Sequence, residues 1–600
     1  MRADIAAHAP TPTAAIQRRW SDAAAAFILI VSVSLIYGAR LGLQPLIGEE
    51  TRWATAAREM LDTGDWIVPR QQAQVFPERP PMTMWLMAAG GSLRGDVDAI
   101  AIRLPSVVSV VLTSLLVYGY TRAFASTATA LTAALVYATG GQLLQIGRRG
   151  ESEAAFALFV SASLLLWHLG YSRGWRPLAV WSLGFAFAAL AALVKGPQAP
   201  AYFGAITVVY LAVMRDWRYL FSWQAMVGGL VFVAIIAAWQ IPFYLATDWA
   251  SIHATWAGLA GDRIHLRGVL AHFVTYPVET FACLLPWSPM LLALARRDVR
   301  TFLRDRRAVT TFLLTAILVA YPTVWLAAGA RGRYFMPLYP LVAVLIGLLI
   351  ECCATAPRGT SPRRGWHEFL LFLGVVIGAG ALFVGGNSVL PSGMAQTLDQ
   401  PRWFALLCAF LATGAVYAMW TSYRQRDNVP PLRAVWAIAG VAGLGAAGLM
   451  TNVNAARWND PTAVVAEFAN QMPADSRLVS LTAIDHRFAY FYRAPITELD
   501  WPRTPGDLPP NVDYFCFMRQ WGDTAEARTA GRGRTSYKTP GTLPFAWEEL
   551  SAICTDRQTD TPTATNVVLG RVVRPLRAQV TDATVPQNAT ARQPSATQRK

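Results

Sequence analysis

The stretch Ala101–Tyr120, AIRLPSVVSVVLTSLLVYGY, is twenty residues long and carries a single charge. Its reading decides the fold, because a helix needs about 20 mostly apolar residues to cross a hydrocarbon core roughly 30 Å thick. The same kind of run recurs on both sides: AAAAFILIVSVSLIYGARLGL at Ala23–Leu43, PLVAVLIGLLIECCA at Pro340–Ala354 and FLLFLGVVIGAGALFVGG at Phe369–Gly386. About thirteen such spans fall between Ala23 and Met450, starting near residues 23, 99, 126, 152, 177, 198, 224, 281, 308, 335, 366, 401 and 432. Composition agrees. Of 600 residues, 54% are hydrophobic and 15% charged, and the mean hydropathy is positive, which excludes an ordinary soluble protein.

Basic residues favour the cytoplasmic side of short loops, and here they alternate with the spans. With Arg18 and Arg19 inside, the inside loops carry Arg122, YSRGWRP, MRDWRYL, RRDVRTFLRDRR, APRGTSPRRGW and YRQRDNVPPLR. An odd span count then leaves the C-terminus outside. The net charge of +15 is thereby a topology signal, not a nucleic-acid footprint. The first span reads as a retained anchor of an inner-membrane protein, since its run is long and no small-residue cleavage site follows.

The expected organisation is a cytoplasmic N-terminus (1–22), a transmembrane domain (23–451) with large outer loops at 48–98 and 247–280, an extracytoplasmic α/β domain (452–572) and a disordered polar tail (573–600). Cys283, Cys352, Cys353 and Cys408 fall in spans and read as small apolar packing. Cys516 and Cys554 are the pair in the outer domain, where an oxidising compartment would let them bridge two strands.

The polar residues that this topology places outside gather in loops next to the membrane. They are Glu49, Glu50, Arg52, Glu78 and Arg79 in the first loop, Arg148, Arg149, Glu151 and Glu153 before the fourth span, and Lys195 at the end of the fifth. His253, Asp262, Arg263, His265 and His272 occupy the next large loop, and Arg331 and Arg333 precede the tenth span. A charge at the bilayer centre costs about 2.5 to 3.5 kcal/mol on insertion scales, so a set gathered at one interface points to a site there.

GEETRWATAAREMLDTGDWIVPRQQAQVFPERPPMTMWL, Gly48–Leu86, resembles the first outer loop of the membrane glycosyltransferases that use polyprenyl-phosphate sugars, the protein mannosyltransferase and lipid A aminoarabinose transferase group. The likeness continues through AIRLPS, ALVKGP, LLPWSP and RGRYFMPLYP, in order, over about residues 45 to 345. It implies a GT-C-like fold: a polytopic α-helical membrane protein with a small extracytoplasmic α/β C-terminal domain. It also implies transfer of a sugar from a polyprenyl-phosphate donor to a lipid, glycan or protein hydroxyl acceptor.

By that resemblance the catalytic carboxylate falls on Glu49, with Glu50 beside it. The carboxylate of the second loop falls on Glu153 or Glu151, since RGESEAAF offers both. Arg79, Lys195, Arg331, Arg333 and Tyr334 fall at the donor phosphate. Two departures keep the charge: Glu49 stands where the family has Asp, and Arg79 where it has Lys. The chemistry requires no cofactor, although Glu78 with His272 offers the mixed carboxylate and imidazole ligation that a divalent metal accepts. A phosphate leaving group needs cations, and an attacking hydroxyl needs a base, so these residue types suit a single inverting displacement. A secondary transporter, with ionisable residues at the midplane of broken helices, and a non-catalytic sensor, with the outer domain binding a ligand, remain alternatives.

Overall fold

The computed structural model describes residues 12–261, 269–327, 329–389, 402–424, 432–457, 460–520, 543–555 and 565–574. Among them nine helices are long and apolar enough to cross a membrane, fewer than the thirteen counted from hydropathy. At the other four expected positions the helices are shorter or bent. Asp22–Gly38, Thr127–Ala138 and Gln198–Met214 are apolar but shorter, and Leu270–Cys283 and Ser288–Ala295 form one pair bent by 113°. The bend falls at LLPWSP, where Pro286 and Pro289 each withhold a backbone N–H from helical bonding.

The bundle has a clear centre and edge. In the Gly332–Thr355 span 89% of the central residues are buried, whereas in Trp217–Ala246 only 6% are, the rest being partly or fully exposed at the edge of the bundle. Small residues allow the central helices to close up: a Cβ on Gly347 would lie 2.7 Å from the Ala133 Cβ, so the two backbones pass with nothing between them.

The first loop is folded into two helices, Glu50–Thr63 and Met82–Arg94, joined through a short antiparallel hairpin of β1 (Arg70–Gln71) and β2 (Gln74–Val75). Trp53, Ala54, Ala57 and Met60 of the first helix pack with Met84, Met87 and Ala88 of the second. The ProGluArgProPro corner is the turn into the second helix: Pro81 is its N-cap residue, and Pro80 and Pro81 are buried.

The C-terminal domain is a mixed sheet in the order β4-β3-β5-β7-β6. β3 (Leu478–Leu481) runs parallel to β4 (Thr497–Leu499) and β5 (Tyr514–Gln520), while β7 (Thr565–Val572) is antiparallel to β5 and to β6 (Trp547–Cys554). Alternate residues feed opposite faces. Cys516 and Met518 pack with Val465, Phe468 and Phe488 of two helices, and Phe515 and Phe517 pack on the other side.

The Cys516–Cys554 bridge is not formed. Cys516 lies on β5 and Cys554 on β6, with β7 between them. Two strand spacings are about 9.5 Å, beyond the roughly 7 Å limit between Cα atoms that a disulfide tolerates. Residues 575–600 of the expected disordered tail lie outside the described residues.

The domain sits on the first loop through the His486–Tyr492 helix. Arg58 Nη1 donates to the Tyr490 carbonyl at 2.8 Å, and its guanidinium lies 4.3 Å from the Tyr490 ring centroid. The Tyr490 hydroxyl donates to the Val97 carbonyl at 2.7 Å, and Arg493 reaches Asp96 at 3.1 Å.

Candidate active site

The acidic pair after the first span divides at once. Glu50 is fully buried against Arg103, itself 2% exposed, with Nε to Oε1 at 2.7 Å and Nη2 to Oε2 at 2.9 Å. The N–H groups of Ile47 and Gly150 also donate to Glu50, and Arg103 gives its remaining hydrogens to the carbonyls of Leu41, Gln44 and Pro45. Burial pushes the Glu50 carboxyl up, but Arg103 and the two N–H donors outweigh it and hold the group below its ordinary range. A carboxylate so fully bonded is a structural anchor, joining the first loop to the fourth helix and to the Gly150 turn. Gly150 has to be glycine there, because a Cβ would come within 2.2 Å of the Ile102 side chain and 2.8 Å of its carbonyl.

Glu49, at the N-cap of the Glu50–Thr63 helix, keeps 44% of its side chain exposed. Arg52 Nη1 donates to it at 3.0 Å, and the same guanidinium pairs with Glu78. Burial raises the Glu49 pKa, but Arg52, His486 and Arg333 together bring it below the ordinary carboxylate value. The group is therefore an accessible anion at neutral pH. Arg79 follows Glu78 in the corner and is half-buried.

A second cluster gathers the ends of three spans. Glu153 opens its helix, Lys195 ends its own, and Arg333 lies in the 3-10 turn Gly332–Leu338 that leads into the central span. Lys195 Nζ donates to Glu153 Oε1 at 2.7 Å, both side chains being 6% exposed. Arg333 bridges the two carboxylates, with Nη1 to Glu151 at 2.9 Å and Nε 3.6 Å from Glu153. Arg149 lies 3.5 Å from Glu151, and Lys195 Nζ stands 5.4 Å from the Tyr334 ring centroid. Burial, and the Glu153 charge next to it, push the Glu151 carboxyl up to about 7. Both carboxylates of the RGESEAAF segment thus belong to the cluster: Glu153 holds Lys195, and Glu151 holds Arg333.

Each residue of the expected metal pair has a partner of its own. Glu78 is bound to Arg52, and His272 Nε2 lies 3.4 Å from the Val324 carbonyl. Among the described residues no three His, Cys, Asp or Glu side chains come together as a metal site. Asp262, Arg263 and His265 lie outside the described residues, and Arg331 is exposed. Three participants escaped the sequence reading. Arg103 sits inside an apolar span, 53 residues from the carboxylate it neutralises. Glu279 accepts the Gly332 N–H at 2.7 Å and steadies the turn that carries Arg333. His486 belongs to the C-terminal domain, where only tertiary structure brings it near Glu49.

Residues 78–241 match the family of dolichyl-phosphate-mannose-protein mannosyltransferases. The undecaprenyl phosphate-α-4-amino-4-deoxy-L-arabinose arabinosyl transferase of Pseudomonas aeruginosa is 28% identical over 519 residues, covering 82% of this chain and 89% of that one. A protein of the same name from Pseudomonas fluorescens is 30% identical over 355 residues, 56% of this chain and 58% of that one. The fold matches ArnT from Cupriavidus metallidurans in its apo state, with TM-score 0.63 and 18% identity over 92% of this chain and 98% of that one. The same ArnT bound to undecaprenyl phosphate gives 0.61 and 19%, over 93% and 98%. With nine or more apolar helices, a loop-and-span-end cluster of carboxylates and cations, and a C-terminal mixed sheet, the chain has a GT-C-like fold and is similar in sequence to the polyprenyl-phosphate-dependent glycosyltransferases of the protein mannosyltransferase and aminoarabinose transferase group.

Proposed function

We propose that the chain moves a pentose from a polyprenyl-phosphate donor to a lipid acceptor, lipid A or a similar glycolipid, on the outer face of the cytoplasmic membrane. The P. aeruginosa relative is named for a 4-amino-4-deoxy-arabinose carried on undecaprenyl phosphate, and the C. metallidurans structure holds undecaprenyl phosphate. The observation that carries the reading is the juxtaposition of Glu49, half-exposed and anionic, with a cation cluster near enough for Arg333 to act on its charge.

Each group has work in one displacement. The acceptor oxygen attacks the anomeric carbon from the face opposite the phosphate, and Glu49 takes its proton as the new bond forms. The carbon–oxygen bond to the phosphate breaks, and Lys195 and Arg333 stabilise the negative charge that develops on the departing polyprenyl phosphate. Arg79 adds a cation at the height of the first-loop corner. With Glu151 protonated, Lys195 and Arg333 face a single anion, Glu153, so the cluster retains positive charge for the donor.

The test is transfer by the purified protein in nanodiscs, supplied with lipid A and either undecaprenyl-phosphate aminoarabinose or a polyprenyl-phosphate hexose. Pentosyl transfer with inverted anomeric configuration, faster than hexosyl transfer, is expected. Faster hexosyl transfer would overturn the choice of sugar, and a retained configuration would overturn the single displacement.

A further inference from the structure

The bent pair at LLPWSP sends its first arm, Leu270–Cys283, alongside the turn that carries Arg333. The arm is held at both ends. Trp325 Nε1 donates to the Phe273 carbonyl at 2.8 Å, with the two rings stacked 4.4 Å apart, and the Leu285 carbonyl just past the arm accepts the Gly141 N–H at 2.7 Å. Tyr276, Glu279 and Cys283, at spacings of three and four, share one face of the arm. That face meets the backbone of the turn: Glu279 Oε1 accepts the Gly332 N–H at 2.7 Å, and the Tyr276 hydroxyl lies 3.5 Å from the Arg331 carbonyl. From the central span Tyr339, whose hydroxyl donates to Gln142 at 2.6 Å, stands 3.5 Å from the Gly332 carbonyl. The fit is close. A Cβ on Gly332 would lie 2.8 Å from Cys283 Sγ and 2.9 Å from Glu279 Oε1, so a side chain there would push the carboxylate off the N–H. Gly332 opens the 3-10 turn, where the first N–H groups have no partner within the turn, and the Arg331 side chain before it supplies no cap. An anion is favoured at such a start, and here it comes from another helix, 53 residues back in the chain.

Arg333 is the next residue, and its own side-chain contacts leave part of it unanchored. Nη1 is hydrogen-bonded to Glu151 at 2.9 Å, but Nε stands 3.6 Å from Glu153, is buried and donates no hydrogen bond among the described residues. The aim of that donor is set by the turn that bears it. We propose that Glu279 is a positioning residue for the leaving phosphate: by gripping the Gly332 N–H it fixes the turn so that Arg333 meets the polyprenyl phosphate as the bond to the sugar breaks. This rests on Arg333 being a phosphate-binding cation of the proposed reaction. Positioning has a large lever here, since a 1 Å misplacement costs up to about 10²-fold in rate.

The readout is the affinity for undecaprenyl phosphate, the leaving product, measured in nanodiscs with the transfer rate and a thermal melt. The variants are Glu279→Ala, Glu279→Gln, Arg333→Ala and the Glu279→Ala/Arg333→Ala double variant, beside wild type. Glu279→Ala is expected to weaken binding about tenfold, inside that limit, at unchanged melting temperature. Glu279→Gln keeps an acceptor oxygen for the N–H and is expected to stay near wild type. Because Glu279 acts through Arg333, its removal costs nothing further once Arg333 is gone, and the double variant should match Arg333→Ala. Gly332→Ala, whose Cβ displaces the same carboxylate, is expected to give the same loss as Glu279→Ala and replaces it if that variant does not fold. Wild-type binding by Glu279→Ala or Gly332→Ala, beside weakened binding by Arg333→Ala, overturns the proposal and leaves Arg333 at the phosphate. Wild-type binding and transfer by Arg333→Ala overturn the reading on which it rests. Losses that add in the double variant, or a fallen melting temperature that glutamine does not restore, overturn positioning in favour of a general packing role.

Discussion

A carboxylate that accepts a proton from an incoming hydroxyl has to be ionised, reachable and free to bind another partner. Glu50 is ionised but fully enclosed by Arg103 and two N–H groups; Glu49 is ionised and keeps 44% of its side chain exposed. Glu49→Gln is expected to leave folding intact and to cut transfer by at least about 10²-fold, the low end for a positioned general base. Glu50→Ala is expected to fail differently. It leaves Arg103 buried and uncompensated, a loss of about 3 to 5 kcal/mol that should appear as a lowered melting temperature and yield before any kinetic effect. Glu151 gives a pH signature. Its carboxyl sits near 7, so it is largely neutral below that pH and anionic above it. Ionisation cancels positive charge from Arg333, and the donor KM should therefore rise as pH climbs through about 7. Glu151→Gln stays neutral throughout and should flatten that rise; an unchanged pH dependence of KM would remove Glu151 from control of the cluster charge.

At the scale of elements, what was legible in the sequence was what is locally encoded. Nine of the expected spans have a full-length helix among the described residues, because an apolar run is a property of consecutive residues. Helix lengths were less legible: Thr127–Ala138 and Gln198–Met214 are apolar but shorter than full spans. The Cys516–Cys554 pairing was misjudged because strand order is set by long-range contacts, and β7 comes last in the chain yet lies between the other two strands. Arg103 was hidden for a similar reason: within AIRLPS it looks like an isolated charge, and its meaning comes from Glu50. The ProGluArgProPro corner reads correctly as a helix-breaking turn at the base of the first loop, and the fold gives its Glu78 an arginine partner, Arg52, that the sequence reading did not pair with it. Arg79 then bears the test of that corner. If charge at this position steadies the phosphate, Arg79→Lys should keep most activity. Arg79→Ala should lose about 1.5 to 3 kcal/mol, roughly a ten- to hundredfold fall in kcat/KM, the same for donors that differ only in their sugar. Equal activity of Arg79→Ala and wild type would leave the corner a purely structural turn.

At the scale of the whole molecule, docking of the C-terminal domain constrains how many segments cross the membrane. The domain touches the first loop through Arg58 with Tyr490 and Asp96 with Arg493, so both lie on the same side, and the chain between Arg94 and Asp460 has to cross an even number of times. All nine full-length spans lie in that interval, and nine is odd. An odd number of the remaining segments there, Thr127–Ala138, Gln198–Met214 and the bent pair, must therefore cross as well. Crossing by all three agrees with the basic loops, which change side at each of them: Arg122 precedes Thr127–Ala138, Arg215 and Arg218 follow Gln198–Met214, and Arg296 and Arg297 follow the bent pair. The positive-inside bias then predicts that both the first loop and the C-terminal domain lie outside. Single cysteines introduced at Asp65, Thr504 and Arg300, in a background lacking the native ones, test this with a membrane-impermeant maleimide on intact spheroplasts. The first two are expected to label directly and the third only after permeabilisation. Labelling of Asp65→Cys and Thr504→Cys from opposite sides would contradict the docked arrangement. Labelling of all three in the reverse sense would keep the docked fold but move the transfer site to the cytoplasmic face.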